Sequence, residues 1–260
     1  MEIIGFILGI FIGISLGLIG SGGSILAIPT LVYLMLIPPS IATTYSLFIV
    51  GLSALIGSIN GIRNGLLDYK VALFFGLPSV ISIFIMRMWL VPLLPEIFFT
   101  INGFVVSKDL FIMIVFSLLM ITASFSMIKK QKLSISSSKS VQKLNLGIMG
   151  TIVGALTGFV GVGGGFLIIP TLVFSAKLTM QKAVATSLTI VAFNSLIGFA
   201  GSMNQHPIDW KFLLSFTGFA VAGIFVGMYL NKKISNEKLK PAFGWFVLAT
   251  GIYIIIKEFT

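Results

Sequence analysis

Two glycine clusters are the part of this sequence whose residue types and spacing could bind something: Gly20-Ser21-Gly22-Gly23, followed by Ser24, and Gly161-Val162-Gly163-Gly164-Gly165. Each interrupts an apolar stretch, and the piece after each break is short and carries a proline, Pro29 or Pro170. A helix start leaves its first backbone N–H groups without partners and carries roughly half a positive elementary charge, so it attracts an anion. Glycine permits the sharp turn that creates such a start and lets a solute come close to the backbone. Ser21, Ser24, Thr30 and Thr171 add hydroxyl donors. Gly20, Ser21, Gly22, Gly23, Ser24, Thr30, Gly161, Val162, Gly163, Gly164, Gly165 and Thr171 are therefore candidate substrate-binding residues for a small anion. The next apolar segment of each half adds the matched pair Ser46 and Ser187, and Asn194, whose amide can donate two hydrogen bonds. Polar groups placed in hydrocarbon either join helices or line a wet path, and both roles stay open for these three.

Close helix packing is the rival account of the glycines. It suits Gly13-x-x-x-Gly17 and Gly154-x-x-x-Gly158, which have small-xxx-small spacing, better than the denser clusters. A nucleotide-binding loop is a weaker alternative, since no Gly-Lys-Ser/Thr follows either cluster and no strand precedes it. The chain has no Cys and one His, His206, which removes disulfides, thiolate zinc sites and histidine metal cages. With no HExxH and no Ser–His–Asp set, no catalytic residue, metal site or cofactor is expected, and the chain is not expected to be an enzyme. A purely structural or assembly subunit would have no need of paired glycine elbows. Asp68 and Asp209 recur at matched positions just before apolar runs, as N-caps of helices at the membrane interface would. Arg87, near the end of an apolar run beside Trp89, is expected to snorkel to the interface, and His206 to sit in a solvated loop.

These residues are set in an apolar chain. Of 260 residues, 57% are hydrophobic and only 9% charged, and the mean hydropathy is +1.11. A soluble domain carries about a quarter charged residues, so a soluble fold is excluded. The net charge of +10 lies in short gaps between apolar runs, not on a basic face, which argues against nucleic acid and for contact with anionic lipid. The chain opens Met1-Glu2 with no basic leader or cleavage motif, so its first apolar run is expected to stay in the membrane.

Apolar segments fall at Ile3–Ile19, Ser24–Ile37, Ile41–Ile62, Val71–Leu90, Leu110–Ile128, Leu146–Val162, Phe166–Phe174, Ala183–Met203, Phe212–Leu230 and Pro241–Ile256. In lipid each lone segment must satisfy its own backbone, and no period-2 alternation suggests a barrel, so helices are expected throughout. The segments repeat. Gly17, Gly20, Gly22, Gly23, Leu26, Pro29, Thr30, Leu31 and Val32 match Gly158, Gly161, Gly163, Gly164, Leu167, Pro170, Thr171, Leu172 and Val173 at an offset of 141 residues. The offset holds without a gap through Ser46-Leu47 and Ser187-Leu188 to Asp68 and Asp209. The expected organisation is a first membrane repeat over 1–128, a basic Ser/Lys-rich linker over 129–145 and a second repeat over 146–260.

Charge then suggests orientation. If each glycine-broken pair is a hairpin followed by three crossings, the second half starts upside down. Thirteen Lys and Arg residues, including those of the linker and of Lys232–Lys240, then share one side, against Arg87, Lys108, Lys211 and Lys257 on the other. The positive-inside bias selects this arrangement. The expected fold is an all-α integral membrane protein of two inverted repeats, multi-pass in the cell membrane, with both termini extracytoplasmic and the linker cytoplasmic. The two elbows are expected to meet near the midplane.

The doubled GxxxGxxGxGG followed by Pro-Thr-Leu-Val, at Gly13–Val32 and Gly154–Val173, resembles the sulfite exporter TauE/SafE family of membrane permeases. The resemblance covers essentially the whole chain. It implies a secondary transporter, an exporter by the family's name, for a small sulfur-containing anion such as sulfite, a sulfonate or sulfoacetate. The alternative is a permease or channel for another small anion, carboxylate or inorganic. The first copy departs from the fuller glycine run, with Ser21 and Ser24 facing Val162 and Gly165, so the two half-sites are unequal.

Overall fold

The structure is a computed structural model that describes residues 2–20, 22–101, 104–128, 143–231 and 236–259. Ser21, residues 129–142 of the linker, Lys232 and Lys233 lie outside the described residues. The elements run α1 (Glu2–Ile19), α2 (Gly22–Pro29) continuing as a π turn through Thr30–Leu34, α3 (Pro39–Arg63) and α4 (Tyr69–Ile85). A second π turn, Met86–Leu90, and the short α5 (Val91–Leu93) extend α4. A hairpin of β1 (Ile97–Ile101) and β2 (Phe104–Ser107) follows, then α6 (Lys108–Ile128), α7 (Lys143–Val160), α8 (Gly165–Ser175), α9 (Met180–Ser202), α10 (Trp210–Asn231) and α11 (Asn236–Phe259).

Five of these helical stretches are long and apolar enough to cross a membrane: Pro39–Arg63, Tyr69–Leu93, Lys108–Ile128, Met180–Ser202 and Trp210–Asn231. The chain is an all-α integral membrane protein, with one small hairpin among the described residues. At 1.5 Å per residue, α2 with its π turn rises less than about 20 Å and α8 less still, short of the ~30 Å hydrocarbon core. Both are half-helices. The hairpin departs from the all-helical expectation for a local reason: Pro92 and Pro95 end the helix, and β-branched and aromatic residues then flank Asn102-Gly103, a strong hairpin-turn sequence. Its base is fastened by Lys108 Nζ to Glu96 Oε1 at 3.7 Å and by Asp109 Oδ1, which accepts from the Ser40 N–H at 3.0 Å.

Small residues set how the long helices meet. A Cβ on Gly13 or Gly17 would overlap the carbonyl oxygens of Ala220 or Ile224. One on Gly223 or Gly227 would overlap those of Ile10 or Ile14. So α1 and α10 lie parallel with their backbones nearly touching, as small-residue stripes allow. Gly150, Gly154 and Gly158 bring α7 onto Phe75, Ser79 and Ile83 of α4 in the same parallel sense. In the middle, Gly51 packs on Ser195 and Leu196, Gly57 on Leu188 and Gly61 on Ala185, so α3 and α9 run antiparallel. Gly76 with Ile190 and Gly198 with Ile83 set α4 parallel to α9. Tyr45 beside Phe212 and Gly57 beside Ile224 set α3 parallel to α10. Following these contacts through the molecule, α1 and α7, the first helices of the two halves, point in opposite directions.

The halves also exchange matched bonds. The backbone N–H of Asp68 donates to Thr186 Oγ1 at 3.1 Å, and that of Asp209 to the Tyr45 hydroxyl at 2.8 Å. Each pair maps onto the other at the same 141-residue offset. Both aspartates also cap the helices that follow them, accepting from the N–H groups of Val71 and Phe212 at 3.0 Å.

Candidate functional site

The second elbow is fully described. At the end of α7 the N–H of Gly161 closes on Thr157 O at 2.8 Å, after which Gly161, Gly163 and Gly164 take positive φ values of 78°, 69° and 83°. These are left-handed angles that a Cβ disfavours by about 1–2 kcal/mol. The surroundings exclude a side chain as well. A Cβ on Gly161 would overlap Arg87 Nη2, one on Gly163 would overlap Ser195 Oγ, and one on Gly164 would stand 2.6 Å from Thr157. The N–H groups of Leu167 and Ile168 both return to Gly164 O, at 3.0 and 2.9 Å. Ahead of them, the amides of Gly163, Gly164, Gly165 and Phe166 have no acceptor among the described residues, as the first turn of a helix leaves them. The turn is buried: Val162 and Phe166 are 0% and 1% exposed.

The first elbow repeats the outline with different neighbours. Gly20 has φ +76°, and a Cβ there would stand 2.5 Å from Val184; one on Gly23 would stand 2.6 Å from Ile12 O. Gly22 opens α2, Ser24 is buried inside it, and Ser21 lies outside the described residues. Gly20 meets the second turn of α9 at Val184, and Gly161 meets the second turn of α3 at Thr43. Since α3 and α9 are antiparallel, the two bends sit at opposite ends of that pair. What comes together is the half-helices they launch: α2 touches α8, and Gly163 reaches the middle of the α3/α9 contact at Val50 and Ser195.

Around this junction lies a buried polar seam. Ser46 and Ser53 on α3, and Ser187, Asn194 and Ser195 on α9, are all 2% exposed or less. The hydroxyls of Ser46, Ser53, Ser187 and Ser195, and Asn194 Oδ1, have no hydrogen-bond partner among the described residues. Ser46, Val50 and Ser53 share one face of α3, and Ser187, Val191 and Asn194 share one face of α9, by the i, i+4, i+7 spacing. Asn194 also serves packing, because its Nδ2 donates to Ser79 Oγ on α4 at 2.7 Å. The two threonines stand apart from the seam. Thr171 Oγ1 bonds back to Leu167 O at 2.7 Å. Thr30 faces an apolar crevice of about 480 Å³ bounded by α1, α2 and α11, which offers an anion little to bind.

Arg87 overturns its sequence expectation. It does not snorkel: it is 1% exposed, held on the π turn after α4 between α7 and α9. Its Nη1 donates to Thr43 Oγ1 at 3.1 Å, and its carbonyl accepts from Gln205 Nε2 at 2.6 Å. Nε and Nη2 have no partner, and no carboxylate among the described residues pairs with it. Its position inside the apolar run Val71–Leu90 was the available signal, since an ionisable residue at membrane depth marks a functional site by default. Trp89, its exposed neighbour, pointed the other way. His206 sits half-buried in the α9–α10 loop, and no group of three or more His, Cys, Asp or Glu able to hold a metal occurs among the described residues.

A buried junction of glycine-turned half-helices in a polytopic bundle is the anatomy of a membrane transporter. The chain belongs to the sulfite exporter TauE/SafE family, whose model matches residues 5–254. Over 251 residues it is 29% identical to a probable membrane transporter protein of Xylella fastidiosa strain 9a5c, covering 94% of this chain and 91% of the relative. It is 26% identical over 254 residues to the probable membrane transporter protein YunE of Bacillus subtilis strain 168, covering 90% and 89%. A stretch of 113 residues is 34% identical to the probable membrane transporter protein MJ0441 of Methanocaldococcus jannaschii, covering 41% and 42%. No solved structure matches the chain at a significant level. The protein is a multi-pass membrane transporter and not an enzyme.

Proposed function

We propose that the chain is a secondary transporter, in the exporting sense, for a small sulfur-containing anion such as sulfite or an organosulfonate. The anion is held by backbone N–H groups at the start of α8, with Ser46, Ser187 and neighbouring hydroxyls of the seam lining its path towards the start of α2, whose bend sits at the other end of the α3/α9 pair. One observation carries this: the N–H groups of Gly163–Phe166 have no acceptor among the described residues, and Gly163 lies against Ser195, one of several buried polar side chains that also lack one. Buried donors without acceptors are costly, and an anion at a helix start satisfies several at once. The two halves are inverted repeats in the bilayer, with both termini outside and the basic linker in the cytoplasm; the opposed directions of α1 and α7 and the charge distribution support this. Alternating exposure comes from the α1/α10 and α4/α7 pairs tilting about the α3/α9 seam.

The native chain lacks Cys, so single cysteines at Ser21, Val162 and Lys139 can be labelled from either side of sealed vesicles. The expected result is protection of Val162→Cys by sulfite and by a simple sulfonate, with weaker protection of Ser21→Cys, and labelling of Lys139→Cys only from the cytoplasmic side. Protection by acetate or sulfate instead would shift the substrate to another small anion. Protection by none of them would leave the glycines with packing alone.

A further inference from the structure

Building on the anion-transporter proposal, we propose that Arg87 is the charged anchor of one oxyanion site at the start of α8, and that it selects solutes presenting two oxygens side by side. The guanidinium is already oriented. Nη1 is fixed by Thr43, while Nε and Nη2, which form one edge of the planar fork, are both buried and unpartnered. Arg stays protonated in proteins, and a buried charge without a partner costs several kcal/mol, so the free edge is either a serious defect or a binding surface. Its surroundings favour the second. Nη2 occupies the place a Cβ on Gly161 would take, so the glycine lets the guanidinium lie directly on the backbone of the turn. The same turn launches α8, whose unpartnered first amides follow within a few residues, and Ser195 Oγ, also unpartnered, lies against Gly163.

Two parallel N–H groups on one guanidinium edge match two terminal oxygens on one sulfur or carbon atom, giving bidentate recognition. Sulfite, a sulfonate or a carboxylate offers that pair, and a halide offers a single atom. The site is single because the repeat is broken here. At the 141-residue offset Arg87 corresponds to Met228, which lies beside Gly17 just before the first elbow. One elbow carries a fixed positive charge and its twin carries a thioether, so one oxyanion binds per chain.

The test is titration calorimetry and thermal unfolding of the purified full chain in detergent, with sulfite, methanesulfonate, acetate and chloride as probes, on wild type, Arg87→Met and Arg87→Lys. Wild type is expected to bind one sulfite per chain, with chloride not competing at equal concentration. Arg87→Met weakens sulfite at least ~30-fold, as truncating one side of a buried charge pair does. It also melts no lower than wild type without anion, since an unpaired buried charge has been removed, and loses the sulfite-induced rise in melting temperature. Arg87→Lys keeps the charge without the fork and falls between. Unchanged sulfite affinity in either variant, or equal competition by chloride, overturns the Arg87 assignment and leaves the transporter proposal standing. Failure of every probe anion to bind wild type brings down both.

Discussion

Replacing Gly161 by Ala tests the elbow directly. Its backbone sits at φ +78°, so any L side chain there is strained by about 1–2 kcal/mol before it touches anything. The added methyl would then stand 2.5 Å from Thr43 Cβ and 3.0 Å from Arg87 Cζ, besides overlapping Nη2. Thr43 is β-branched and sits in the second turn of α3, so it yields little, and overpacking of this kind costs about 1–3 kcal/mol more. Gly65 separates the two contributions. It has φ +66° and nothing within 4 Å of where a Cβ would stand, so Gly65→Ala carries the backbone strain alone. Reversible unfolding in mixed micelles should show Gly65→Ala less stable by about 1–2 kcal/mol and Gly161→Ala by about 2–5 kcal/mol. In proteoliposomes only Gly161→Ala should lose sulfite flux, because only it displaces the Arg87 edge. Equal destabilisation by the two, with flux retained in both, would refute the close approach of the elbow to α3 and Arg87.

Gly218, inside α10 with nothing within 4 Å, should behave oppositely: Gly218→Ala is expected to stabilise by about 0.5–1 kcal/mol in the same unfolding assay. Asp68→Ala and Asp209→Ala each remove a helix cap and should cost about 1 kcal/mol while leaving sulfite flux in proteoliposomes intact; loss of flux at normal stability would instead place the carboxylate in the transport cycle.

The helices were legible because lipid simplifies the code. Long apolar runs, only one of them carrying a charge, at Arg87, and separated by short polar gaps, give span limits with little ambiguity, and the ten segments read from the sequence each correspond to a helix that begins and ends within a few residues of them. The aspartate caps were legible for a similar reason, as a short-range pattern with a local consequence. Two features were not. The hairpin of β1 and β2 is brief and apolar, and its Phe-rich residues look like membrane sequence until Asn102-Gly103 is weighed as a turn. Arg87 was misjudged because depth in the membrane depends on where the neighbouring helices lie. Its proximity to Trp89 indicated an interface, while the contacts that bury it come from Thr43, Gly161 and Gln205, which lie 44 to 118 residues away. The partners of the elbows were hidden in the same way: each elbow rests on the long helix of the other half, a relation that no local pattern encodes.

The nearly touching backbones of α1 and α10 bear on how this protein is made. During synthesis α1 emerges long before α10, whose backbone it approaches so closely, and meanwhile the Gly13 and Gly17 groove waits uncovered. Until then that groove must be shielded by lipid or by the insertion machinery. A polypeptide halted after the linker would consequently be an open shell missing its clasp, and the duplicated halves, alike as they are in sequence, form a single interlocked unit.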